Sequence, residues 1–183
     1  MRVIVRPAED EEAPLVHSIM QKAYDEYRGL LRPASSAHSE TVQEVRQAMG
    51  RGGGVLAFLQ GNAVGSARFV LEDGYMYIGR LSVLPDYRRR GVGRAMMEWL
   101  EGQARSRGYR EVRLGVRLAL MNNWRLYSSL GYRVVTLQPK PGGEDVVAMM
   151  VKHLEPPAEG LSDGWLPDLV GRLVQEATST CGW

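Results

Sequence analysis

Residues 75–103 read YMYIGRLSVLPDYRRRGVGRAMMEWLEGQ, and the organisation of the whole chain turns on them. The stretch starts with apolar and aromatic residues suited to a strand, turns at Pro85-Asp86, and passes three arginines and Gly91-Val92-Gly93. Apolar residues then recur at helical spacing. A glycine-bearing turn between strand and helix leaves the backbone N–H groups of Gly91 to Ala95 unpaired at the positive end of the helix dipole. Glycine at 91 and 93 removes the Cβ atoms that would hold an anion off those amides and allows the angles of a tight nest. Arg88, Arg89, Arg90 and Arg94 add charge-assisted donors around it. The pattern predicts a diphosphate-binding turn, against the plainer reading of a tight turn into a helix. It is neither common nucleotide loop, because Met96 stands where G-x-G-x-x-G needs its third glycine and no Gly-Lys-Ser/Thr follows.

Working outward, the period before this stretch is extended: VLAFLQ (55–60), a turn expected at Gly61-Asn62, AVGSARFVL (63–71), and a second turn at Asp73-Gly74. After it, the helix is expected to bury Ala95, Met96, Trp99, Leu100 and Ala104 and to end near Gly108. The strand REVRLGV must then run parallel to residues 75–83, because a crossover helix joins them. Met121 to Leu130 reads as a short helix closed by Gly131, followed by strands YRVVTL and DVVAMMVKHL around a PKPGG turn. At the front, a strand (Arg2–Arg6) precedes a helix with an acidic first turn, Glu9 to Glu12, and an apolar stripe of Leu15, Val16, Ile19, Met20, Ala23 and Tyr27. A second helix through Met49 is expected to start at a Ser39 cap and to be broken by Arg51-Gly-Gly-Gly54.

Two motifs carry a family likeness. Arg88-Arg-Arg-Gly91-Val-Gly93 resembles the Arg/Gln-x-x-Gly-x-Gly/Ala signature of the GNAT superfamily of acyl-CoA-dependent N-acetyltransferases, with LSVLPDYR ahead of it in that family's manner. Leu126-Tyr127-Ser-Ser-Leu-Gly131-Tyr132 resembles the family's second motif, Leu-Tyr-x-x-x-Gly-Phe/Tyr, in the right order. The resemblance runs from VRPAEDEE to the strand ending near His153. It implies an α/β (α+β) GNAT fold: a mixed sheet of about seven strands with helices on both faces.

The same resemblance implies acetyl-CoA as acetyl donor and a primary amine, on a small molecule or peptide, as acceptor. The pyrophosphate would lie on the turn from Arg88 through Arg89, Arg90, Gly91, Val92, Gly93 and Arg94 to Ala95. The pantetheine arm would run beside Leu81-Ser82-Val83, pairing with the backbone where two parallel strands diverge. Tyr127 would be the acid that protonates the departing thiolate, where the plainer reading is a core tyrosine. Asn123 is implied as a pantetheine contact or else a helix cap, since the family's usual asparagine position is Leu120 here. Tyr24, Glu26 and Tyr27 would line the acceptor side, although Glu26 also reads as a solvated helix-end charge. Many relatives place a glutamate base on the strand before the turn, and YMYIGRLSV has none. That absence motivates an alternative, a non-catalytic acyl-CoA-binding or sensing module.

Composition narrows the field. A chain of 183 residues suits one domain with a sizeable core, and a net charge of +2 does not mark a nucleic-acid partner. One Arg triplet without aromatic platforms points the same way. A lone cysteine, Cys181, and scattered His17, His38 and His153 give neither disulfide framework nor metal-ligand spacing. No apolar run suits a membrane span or secretion signal, so a cytoplasmic setting is expected. Residues 1–154 are read as the acetyltransferase domain and 155–183 as a Pro/Gly-rich linker and amphipathic helix, with Trp165, Leu166, Leu169, Val170, Leu173 and Val174 on one side. That side docks on its own sheet or on a second subunit as a homodimer, and its polar face has too few basic residues for membrane attachment.

Overall fold

The computed structural model describes residues 2–142 and 145–154. The linker and terminal helix expected after Leu154, with their docking alternatives, lie outside the described residues. In chain order the elements are β1 (Val3–Ala8), α1 (Ala13–Tyr24), α2 (Val42–Gly50), β2 (Gly52–Leu59), β3 (Asn62–Leu71), β4 (Met76–Val83), α3 (Val92–Ser106), β5 (Glu111–Arg117), α4 (Met121–Ser129), β6 (Arg133–Pro139) and β7 (Val146–His153). One seven-stranded sheet forms in the order β1-β2-β3-β4-β5-β7-β6. Among the described residues only β4 and β5 pair in parallel, as the α3 crossover requires.

Strand alternation sends neighbouring residues of β2 to opposite faces, and the core divides accordingly. Leu56 packs with Val16, Ile19 and Met20 of α1 and Val45 and Met49 of α2. Val55 points the other way, into a cluster with Met97, Leu100 and Ala104 of α3, Tyr127 of α4 and Leu130 just after it. Helices therefore cover both faces. None of the described helices is long and apolar enough to cross a membrane.

Several local expectations change. The cap of α2 is Thr41, whose hydroxyl accepts from the Glu44 amide at 3.2 Å while the Glu44 carboxylate accepts from the Thr41 amide at 2.7 Å. This reciprocal box satisfies two helix-end donors at once, and Ser39 sits instead in a 3-10 turn, Ser36–Ser39. The glycines at 52–54 do not merely break α2; they begin β2. A Cβ at Gly53 would lie 2.5 Å from the Phe69 ring and one at Gly54 2.8 Å from the Met49 methyl, so neighbouring side chains occupy the space left bare. The hairpin turn is Gln60-Gly61, one residue earlier than expected, because Leu59 pairs with Asn62. Helix α3 buries Met97 and Glu101 fully, leaving Ala95 and Trp99 at its margin. Leu15 is exposed, and Tyr27 lies beyond α1 in the 3-10 turn Asp25–Tyr27.

Candidate active site

The site begins at a seam that opens. β4 and β5 pair only at Met76–Val112, Tyr77–Arg113 and Ile78–Leu114, although β4 continues to Val83 and β5 to Arg117. From Gly79 onward the β5-facing edge of β4 has no strand beside it, so its peptide groups face a cleft. The divergence coincides with a bulge. Between the Ser66–Ser82 and Arg68–Gly79 pairs, β4 spends one residue more than β3. Arg80 takes up the slack with φ 54°, a left-handed conformation costing about 1–3 kcal/mol for a side-chain-bearing residue.

Polar contacts hold the bulge. The Ser82 hydroxyl donates to the Arg80 carbonyl at 2.9 Å, so this side chain folds back on its own strand. Arg80 donates from Nε to Glu40 at 3.1 Å and from Nη2 to the Ser36 hydroxyl at 2.8 Å. Glu40 also pairs with Arg68 at 2.7 Å, and Arg68 and Glu40 are both largely buried. One carboxylate thus ties β3, β4 and the α1–α2 link together.

At the far end of β4 the chain passes a 3-10 turn, Pro85–Tyr87, into the arginine-glycine turn. Arg89 has φ 58° and Gly91, the residue capping α3, has φ 81°. An added Cβ at Gly91 meets nothing within 4 Å, so the demand there is for backbone angle. At Gly93 the demand is for space: a Cβ would stand 3.2 Å from Leu126 Cδ2 of α4. The Ala95 amide donates to the Gly91 carbonyl at 2.9 Å, which removes Ala95 from the expected set of free donors. Val92, Gly93 and Arg94 remain as the amides preceding the first helical bond.

The arginines do not act alike. Arg88 turns inward, donating to the Val83 carbonyl and the Ala23 carbonyl, each at 3.1 Å, and pairing with Glu26. This occupies Arg88, expected at the anion, and occupies the Val83 carbonyl, expected to be free. Arg89 and Arg90 are exposed, Arg90 lying over the Tyr87 ring at 5.5 Å, and Arg94 donates to the Ser129 hydroxyl at 3.1 Å.

Tyr127, on α4, is 8% exposed and lies against Tyr132 edge-on at 6.1 Å. Burial pushes its phenol far above the ordinary value, so it stays protonated at physiological pH and can give a proton but not take one. It lines a cleft of about 190 Å³ that the open edges of β4 and β5 also line. Leu81, Asn123 and Tyr24 share that lining. The capping position of α4 is Leu120, without a side-chain cap, so Asn123 is not a helix cap. Tyr27 and Glu26 are not on the cleft wall. Tyr27 stands edge-on to Tyr24 at 5.6 Å, and burial, then the Glu26 carboxylate, push its phenol up to about 12. His38 faces Tyr24 at 6.5 Å with both ring nitrogens buried and without hydrogen-bond partners, and desolvation holds it below its usual value, neutral.

Sequence reasoning passed over Tyr77, Arg80, Arg117 and Lys140, all on the cleft wall. The first two lie in the deciding stretch but read only as strand residues; the other two come from the ends of β5 and β6. Nothing local in the sequence places either beside Tyr127.

The Acetyltransferase (GNAT) family profile matches residues 17–132, well over half of the chain. The chain belongs to that family. In Escherichia coli (strain K12), [Ribosomal protein bS18]-alanine N-acetyltransferase is 33% identical over 85 residues, 44% of this chain and 56% of that protein. The match thus spans about half the length of that curated relative. Among solved structures, the Escherichia coli ribosomal-protein-S18-alanine N-acetyltransferase superposes with a TM-score of 0.70 at 22% identity, over 88% of this chain and 99% of the other. Ard1 from Thermoplasma volcanium gives 0.71 at 19% identity, over 85% and 100% of the two chains. The PaiA N-acetyltransferase of Thermoplasma acidophilum, solved with coenzyme A, gives 0.70 at 16%, over 84% and 99%. These structural likenesses bear on the fold of the GNAT family member described above.

Proposed function

We propose that the protein is an acetyl-CoA-dependent N-acetyltransferase that acetylates a primary amine by direct attack. One observation carries the reading: Tyr127 and the unpaired edge of β4 line one cleft at the β4–β5 opening, and the capping turn of α3 abuts α4 where a Cβ at Gly93 would stand 3.2 Å from Leu126, the residue before Tyr127. The donor fits its parts. Amides of Val92, Gly93 and Arg94, with Arg89 and Arg90 exposed beside them, suit a diphosphate. Peptide groups from Gly79 to Leu81 suit an extended amide-bearing arm that adds to the sheet edge.

Acetyl-CoA supplies the activated acyl group as a thioester. Backbone N–H groups of β4 beyond the bulge polarise its carbonyl. The amine nitrogen bonds to the acetyl carbon as the carbon–sulfur bond breaks, Tyr127 gives its proton to the departing sulfur, and the amine's proton leaves to water. Tyr127 is then reprotonated from solvent. No carboxylate lines the cleft among the described residues, and its cationic wall disfavours the protonated form of a bound amine, so release to water suffices.

Calorimetry with acetyl-CoA followed by thiol release across an amine panel tests the reading. Expected are binding heat and turnover with at least one amine. Binding without turnover would identify an acyl-CoA-binding module instead, and no binding would remove the basis of the reading. The name of the Escherichia coli relative makes an alanyl N-terminus one acceptor to include.

A further inference from the structure

We infer that the acceptor is a small amine bearing its own carboxylate, an amino-acid-like molecule, with that carboxylate held by Lys140 and Arg117. The inference rests on the transferase reading above and names its substrate class. Its basis is the charge of the cleft wall. Arg80, Arg117 and Lys140 line the cleft, and no Asp or Glu does among the described residues. Among the described residues, the carboxylates that pair with Arg80 and Arg117 are not on the cleft wall and are already engaged. Glu40 is shared between Arg68 and Arg80, at 2.7 and 3.1 Å. Asp145 pairs with Arg117 through one oxygen and accepts the Val146 amide at 2.8 Å through the other. Among the described residues four cations, Arg68, Arg80, Arg117 and Lys140, therefore share two carboxylates, and three of the four line the cleft.

The surplus is available for a ligand. Lys140 has no ion-pair partner among the described residues. Arg117 is 9% exposed, donates Nη1 to the Pro33 carbonyl at 2.7 Å, and keeps a buried Nη2 with no hydrogen-bond partner among the described residues. An unmatched guanidinium donor in a closed wall is costly, and a carboxylate satisfies it with a charge-assisted bond. The arrangement argues against a polyamine, whose second ammonium would meet like charge, and a peptide offers these cations only neutral carbonyls, which pair more weakly than a carboxylate. A cleft of about 190 Å³, shared with the acetyl end of the donor, suits a molecule of amino-acid size.

The test uses the full chain, acetyl-CoA and thiol release. Each common α-amino acid is paired with its carboxamide, and an alanyl peptide is included. The carboxamide carries the less basic amine and so the larger neutral fraction, which biases the comparison against the inference. The expected result is a kcat/KM about tenfold or more higher for at least one free acid than for its amide, as loss of one charge-assisted contact implies. Lys140→Met should lower that acid-to-amide ratio at least severalfold, by raising KM for the acid, and Lys140→Arg should restore most of it. Acetyl-CoA affinity, measured separately, checks that Lys140→Met remains folded. Amides or the peptide turned over as well as the acids, or a ratio indifferent to Lys140→Met, overturns the inference and leaves the transferase reading standing. No thiol release from any amine overturns both.

Discussion

β4 has two edges, and they have opposite fates. Toward β3 it pairs from Met76 to Val83 with a single bulge; toward β5 it pairs for three residues and then stands open. The first edge joins β4 to the antiparallel sheet, with Met76 and Ile78 buried in the main core. The second leaves peptide groups without strand partners, which a protein does not keep unpaired unless water or a ligand meets them. The bulge links the two. By spending an extra residue on the closed side it re-aims the strand, and the opening follows.

That contrast can be broken from either side. The largest effect should come from the closed side: Met76→Ala, at a fully buried position, should cost about 2–5 kcal/mol in denaturant unfolding while leaving the acetyl-CoA affinity of the folded fraction unchanged. Next is the tie between edges. Glu40→Gln leaves a largely buried Arg68 and the strained Arg80 without their carboxylate, for an expected loss of about 2–3 kcal/mol, discounted for the partial exposure of the pair. The same variant should lower kcat/KM severalfold, since the bulge shapes the open edge; unchanged kinetics would separate bulge from site. Gly91→Val forces a β-branched residue to a φ of 81° and should weaken acetyl-CoA binding about tenfold in calorimetry, with a smaller shift in Tm. Tyr127→Phe should lower kcat about tenfold or more with the donor Kd unchanged. Collapse of affinity with rate per bound donor intact would make Tyr127 a packing residue.

The smallest effect lies far from both edges. Glu12 is held down to about 2, first by the hydrogen bond from Arg6 and then by the Glu9 amide. Its pKa is depressed in the folded state, so its contribution is present above the ordinary carboxylate value of 4.5 and is lost as pH falls toward 2. The pair is partly exposed, and the loss should stay under about 1 kcal/mol. Melting curves of the wild type and Glu12→Gln should therefore converge as pH falls from 5 to 2.

Much of this was legible in the residues themselves. The arginine-glycine turn, the α3 crossover and the placement of Tyr127 on a short helix closed at Gly131 all depend on local spacing, and the structure has them. The bulge was not legible, because an arginine at positive φ violates local preference and is held there by partners distant in sequence, Glu40 and Ser36. The hairpin slipped by one residue for a similar reason. Gly61-Asn62 is the better local turn, but Leu59 pairs with Asn62, and the β2–β3 register shifts between Ala57 and Phe58 to join that turn to the rest of the ladder. Nor could the arginines be sorted by eye: Arg88 and Arg89 are adjacent in sequence, yet one braces α1 against β4 and the other faces solvent.

The 3.2 Å that Gly93 would leave between a Cβ and Leu126 has a bearing on how such a sequence can drift. The candidate donor-binding turn and the helix bearing Tyr127 meet at this point, with no room for a methyl group unless Leu126 gives by a few tenths of an ångström. Alanine at 93 therefore asks only for a small shift of the Leu126 side chain, whereas a larger side chain there asks for trimming at 126 as well, a coupling that runs in one direction.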